Sequence, residues 1–157
     1  MTLEEKLQAF KDVTRNYQKF LQHIEGIDDK LRVVQAKMEN VHSINYEKEN
    51  VAPTFDERPM VEMIEKKTVL ENEKQHYQKL IDWIHDVIES FDTSSIKALV
   101  WMTYIQRKSL ASVADEYLIS KDNLYKIRRK YLARVLTDDV MDKLDEIRNE
   151  EYLTDHQ

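Results

Sequence analysis

Six cations fall within a stretch of fourteen residues, Lys121, Lys126, Arg128, Arg129, Lys130 and Arg134, and they share it with Tyr125 and Tyr131. Ammonium and guanidinium groups at such density neutralise phosphates and donate hydrogen bonds to base edges. On a helical wheel Lys126, Arg129 and Lys130 share one face, with Tyr125 and Arg128 on its flanks and Lys121 at its N-terminal end. Leu124, Ile127, Tyr131 and Val135 share the opposite, packing face. A helix patterned this way suits the major groove of duplex DNA, where the first turns reach base edges and flanking cations bind phosphates. The plainer reading is a solvated basic face. Lys121 weighs against it, because a cation in the first helical turn opposes the helix dipole.

A helix can present such a face only if something holds its other side, and residues 108–136 read as a helix-turn-helix. Residues 110–117 form the first helix, 118–120 the corner, and 121 onward the second. Two short helices crossing steeply need apolar residues at fixed offsets and a small residue at the closest approach. Val113, Tyr117, Ile119, Leu124 and Ile127 occupy the apolar offsets and Ala114 the small one. Ser120 stands where its hydroxyl can accept from a free backbone N–H at the start of the second helix.

Residues 96–136, including WMTYIQRKSLASVADEYLISKDNLYKIRRKYL, resemble the fourth region of bacterial sigma factors and, more closely, phage late-transcription regulators of the ArpU and RinA type. The similarity covers roughly a quarter of the chain and lies in pattern more than in identities. It implies a DNA-binding unit preceded by a long helical segment. Related proteins often carry glycine near positions 106–108 and at the corner, where this chain has Leu118.

Charge is segregated in the same place. The 157-residue chain has a net charge of −6, but residues 93–136 hold 9 Lys and Arg against 3 Asp and Glu. Residues 1–92 hold 13 against 19, and residues 137–157 hold 2 against 8. The basic charge thus sits where the apolar spacing independently places a reader of DNA. A single glycine leaves no room for a phosphate-cradling glycine loop, and the absence of cysteine excludes disulfides, thiolate zinc sites and a cysteine nucleophile. Without a long apolar run or a signal-like start, the expectation is a protein of the bacterial host cytoplasm with no membrane contact.

One glycine and two prolines also predict few turns and an all-α fold: a long, coiled-coil-like helical hairpin (1–92), a helix-turn-helix domain (93–136) and a short acidic C-terminal helix with its tail (137–157). Phe10, Val13, Tyr17, Phe20, Ile24, Ile27, Leu31, Val34, Met38 and Val41 recur in steps of three and four, the seam of a paired helix. Gly26 interrupts it and is a place for a bend. Residues 50–59, NVAPTFDERP, break the pattern, and helix resumes near Met60. A second stripe, Met60, Met63, Ile64, Leu70, Tyr77, Leu80, Ile81, Ile84, Val87, Ile88 and Phe91, is thin before Tyr77 and broad after it, so its C-terminal half should pack near the start of the first helix. The run from Ser95 to Ile105 is apolar on nearly every side and reads as a buried hub. After it, Thr137 can cap a last helix striped by Val140, Met141, Leu144 and Ile147, which either docks on the core, pairs with a copy of itself or covers the basic helix.

No histidine pair has metal-ligand spacing; His85 beside Asp82, Asp86 and Glu89 is the nearest approach to a cation site. Neither an enzyme nor a cofactor is expected. The reading is a sequence-specific DNA-binding transcription regulator of phage or prophage type, dimer favoured, with the hairpin serving dimerisation or contact with host RNA polymerase. Lys121, Lys126, Arg128, Arg129, Lys130 and Arg134 would bind phosphates. Ser120, Asp122, Tyr125, Lys126 and Arg129 would face bases, Arg129 being the best candidate for a guanine. The rivals are the small subunit of a phage terminase, binding DNA for packaging, and an interaction protein that inhibits a host factor.

Overall fold

The computed structural model of the chain describes residues 1–47 and 58–150, with side chains described for 1–40 and 58–150. Among the described residues the regular structure is entirely helical: α1 (Leu3–Arg15), α2 (Tyr17–Glu47), α3 (Arg58–Glu89), α4 (Ser94–Val100), α5 (Leu110–Tyr117), α6 (Lys121–Val135) and α7 (Asp138–Arg148). The seam position Val41 and the break at 50–57 lie outside the described side chains or residues. α3 opens two residues earlier than expected, with Pro59 in its first turn, where a missing N–H costs nothing.

The first long helix is not continuous, and the side chains at its break show why. Thr14 is buried and its hydroxyl donates back to the Phe10 carbonyl at 2.8 Å, a bond that bends helices. Asn16 Nδ2 donates to the Asp12 carbonyl at 3.2 Å. The Asn16 amide therefore turns to Val13 instead, at 3.1 Å. α2 then runs unbroken through Gly26, so the interruption expected at the glycine falls at Asn16.

The chain divides into two compact units, one of residues 1–20 with 79–150, the other centred on residues 21–78. α1, which the sequence groups with the 1–92 segment, thus belongs to the same unit as α4–α7. In the second unit Ile27, Val34 and Leu70 are buried together, with Leu31, Met38, Met63 and Tyr77 packed around them. His23 stacks on Tyr77 with ring centroids 4.8 Å apart, and Lys74 meets Asp28 at 2.7 Å. Position rises along α2 as it falls along α3, so within this unit the two helices run antiparallel.

The first unit has the deeper core. Phe10 is fully buried, 4.8 Å from the Tyr104 ring and 6.1 Å from that of Trp83. Trp83, absent from the stripe read in the sequence, is buried and donates its indole N–H to the Val140 carbonyl at 2.9 Å. That bond, with buried Met141 and Leu144, docks α7 on its own unit. The acidic first turn of α7 adds an ion pair from Asp138 to Lys6 at 2.9 Å, which holds the Asp138 carboxyl below its usual range.

The hub departs from expectation. α4 passes into a π-helical turn over Trp101–Ile105, where the Gln106 amide reaches back to the Trp101 carbonyl at 3.0 Å. Ile96, Leu99, Val100 and Ile105 are buried, but Trp101 to Tyr104 are only half-buried and Ala98 is exposed. A widened turn fans its side chains toward several neighbours instead of enclosing them all.

A Cβ built on Gly26 meets nothing within 4 Å. Gly26→Ala should therefore raise stability by about 1 kcal/mol through helix propensity alone, read as a higher urea midpoint with an unchanged slope. A lower midpoint would mean that this stretch is not helical.

Candidate functional site

The corner between α5 and α6 is built from local hydrogen bonds. Ser109 caps α5, its hydroxyl accepting from the Ser112 amide at 3.1 Å. At the other end the Leu118 amide donates to Asp115 at 3.3 Å and the Ile119 amide to Ala114 at 3.2 Å. This pair of bonds ends a helix by forcing the residue between them into the left-handed conformation, usually a glycine. Here it is Leu118, with φ 56° and ψ 37°, its side chain 89% exposed. Ser120 follows as the cap of α6, accepting from the Asn123 amide at 3.1 Å. Val113 and Ala114 are buried beneath the turn, and the Tyr117 hydroxyl ties α5 to the Ser95 carbonyl at 3.0 Å.

α6 is rotated about its axis relative to the sequence expectation. Its buried residues are Leu124 and Leu132, followed by Leu136 just past its end. Ile127, expected to pack, is 36% exposed, while Tyr131 and Val135 are half-buried. The buried line therefore runs in steps of four through position 128 and draws the Arg128 side chain inward. Its guanidinium lies 4.8 Å from the centre of the Tyr104 ring and 5.9 Å from that of Tyr125, contacts favourable to both partners.

Arg129 is engaged as well. It forms an ion pair and hydrogen bond with Glu4 of α1. This bond, and then the attraction of opposite charges, holds the Glu4 carboxyl below its usual range and Arg129 more firmly protonated. The pair is open to solvent, so it is weak and a competing anion can open it. Burial raises the Tyr104 hydroxyl above its ordinary range, with Arg128 opposing.

The remaining cations are open. Lys121, Lys126, Lys130 and Arg134 are exposed, and none pairs with a carboxylate among the described residues. Arg134 also lies over the Tyr131 ring at 5.5 Å. Ser120, Asp122 and Tyr125 are exposed beside them. So is Asn123, which wheel reading overlooked; a side-chain amide can pair with adenine, and its place two residues after Asp122's neighbour Lys121 in the first turn of α6 was the available signal.

His85 accepts or donates in a 2.8 Å hydrogen bond with the Tyr17 hydroxyl, and no acidic or histidine cluster able to hold a metal ion occurs among the described residues. No helix among them is long and apolar enough to cross a membrane. Compared with known proteins, the chain matches no family model, no curated protein and no solved structure.

A leucine in the left-handed region is strained by roughly 1 kcal/mol or more, against about 0.5–1 kcal/mol of added chain entropy for glycine. Leu118→Gly should therefore leave the protein as stable or slightly more so, whereas Leu118→Val should lower the thermal midpoint by several degrees. Equal midpoints for the glycine and valine variants would contradict the corner geometry.

Proposed function

We propose that the chain is a sequence-specific DNA-binding transcription regulator of the phage or prophage late-gene kind that residues 96–136 resemble, acting through α5 and α6 as a helix-turn-helix. The observation that carries this reading is that α6 leaves a sharp corner with Lys121, Lys126, Lys130 and Arg134 exposed and without carboxylate partners among the described residues, in a chain of net charge −6. The two left-handed residues other than glycine among the described residues, Arg107 at φ 59° and Leu118, add support. They fall at the two places where the proteins it resembles often carry glycine.

In this reading α6 enters the major groove with Asp122, Asn123, Lys126 and Lys130 toward the bases, and Lys121 and Arg134 at the phosphates. Arg128 and Arg129 join only after giving up Tyr104 and Glu4. Lys121 and Arg134 joined by Arg128 and Arg129 make four phosphate contacts and a log–log salt slope of about −3.6, and turning Lys126 and Lys130 to phosphates as well brings it to about −5.4. Fluorescence anisotropy of labelled duplex across a salt series should fall in that interval. No retention of duplex at low salt would remove the reading and favour a protein that grips an acidic partner. Because Glu4 competes with phosphate for Arg129, Glu4→Gln should tighten duplex binding several-fold; an unchanged affinity would place Arg129 outside the interface.

The α2–α3 unit serves in this proposal for pairing with a second copy or for contact with RNA polymerase. Val33, Val61 and Ile64 are about half exposed on that unit, at 54%, 49% and 48%, apolar side chains that its own seam does not bury. Light scattering separates the readings: a dimer fits the regulator, and a ring of about eight or more copies fits a terminase small subunit.

A further inference from the structure

A second concentration of positive charge lies away from the outer face of α6. A cleft of about 270 Å³ is lined by Lys11 and Arg15 of α1, Thr14, Thr103 and Tyr104, Arg107 and Arg128. Four of these side chains are cations and none is a carboxylate. Lys11 and Arg15 stand one helical turn apart, a like-charge spacing that costs stability. Neither they nor Arg107 form an ion pair among the described residues. In a chain with 30 acidic residues against 24 basic ones, four cations around one cleft without a counter-charge is not what stability alone selects.

The backbone around the cleft is unusual in two further respects. Arg107 holds a positive φ of 59°, a strained conformation for any residue but glycine. It is reached through the π-helical turn, and the next amide, that of Lys108, closes on the Met102 carbonyl at 2.9 Å. π-helical turns are frequent at functional sites. The hydroxyls of Thr14 and Thr103 donate to their own helix carbonyls, at 2.8 Å each, so the side-chain donors left for a ligand are the four cations and the Tyr104 hydroxyl. Arg128, steadied by the Tyr104 ring, offers the planar fork that matches two phosphate oxygens. The volume falls short of the range usual for drug-sized ligands and suits a phosphate or diphosphate group.

The geometry points to a binding site for a phosphate group in this cleft, held by Lys11, Arg15, Arg107 and Arg128. The group belongs either to a free phosphorylated small anion or to the backbone of a bound nucleic acid. The site does not depend on α6 reading DNA. Isothermal titration of the full chain with sodium pyrophosphate at low salt should show one saturable site per chain. The Arg15→Gln/Arg107→Gln variant, both positions being exposed, should weaken it at least tenfold with an unchanged circular dichroism melt. Lys11→Gln provides the same reading should the double variant fail to fold. A salt series on duplex DNA with the same variant identifies the source: a slope smaller by about 2 assigns the phosphate to the nucleic acid. An unaltered slope alongside lost pyrophosphate affinity assigns it to a free anion. No saturable pyrophosphate binding, or equal binding by the variants, overturns the site whether or not the chain binds DNA.

Discussion

Two backbone hydrogen bonds, from Leu118 to Asp115 and from Ile119 to Ala114, close the end of α5, and what α6 can present follows from that closure. They oblige Leu118 to take a conformation that leucine resists, and its side chain gains nothing in return, since it stands in solvent. The compensation comes from both sides of the turn. Val113, Ala114 and Leu124 are buried under it, and Ser120 restarts the helix with its hydroxyl on the Asn123 amide. Burial of three such side chains is worth several kcal/mol, well above the strain. The direction in which α6 departs is therefore set by packing beneath the corner, and its outer face is left to carry charge.

α1 braces the opposite flank. Phe10, wholly buried against Tyr104 and near Trp83, joins the start of the chain to the π-helical turn and to the end of α3. The same helix carries Glu4, which holds Arg129, and Lys11 and Arg15, which line the cationic cleft. Packing and charge are thus coupled: the contact that buries Phe10 fixes which arginines of α6 face inward and which lysines face out.

The helical composition and the positions of α5 and α6 were legible in the sequence because their causes are local. Serine caps, the spacing of Val113, Ala114 and Leu124, and the scarcity of glycine act within a few residues. The burial pattern of α3, thin before Tyr77 and broad after it, was legible for the same reason. The rotation of α6 was not. Two overlapping stripes, one through Leu124, Ile127 and Tyr131 and one through Leu124, Leu132 and Leu136 with Arg128 between them, share the helix, and the choice rests on what α1 and Tyr104 offer. Glu4 and Arg129 are 125 positions apart, and no local pattern announces such a pair. The boundaries of the two compact units fall inside helices, one turn into α2 and, in α3, just past Tyr77 where the apolar stripe broadens.

We propose that the lysines on the outer face of α6 meet duplex DNA. Backbone amide resonances of the isotopically labelled chain, followed during titration with a short duplex, test it most directly. Shifts should concentrate on residues 120–134 and the neighbouring corner, while amides of the α2–α3 unit stay in place. Shifts confined to the α2–α3 unit, or none at any duplex concentration in low salt, would contradict it.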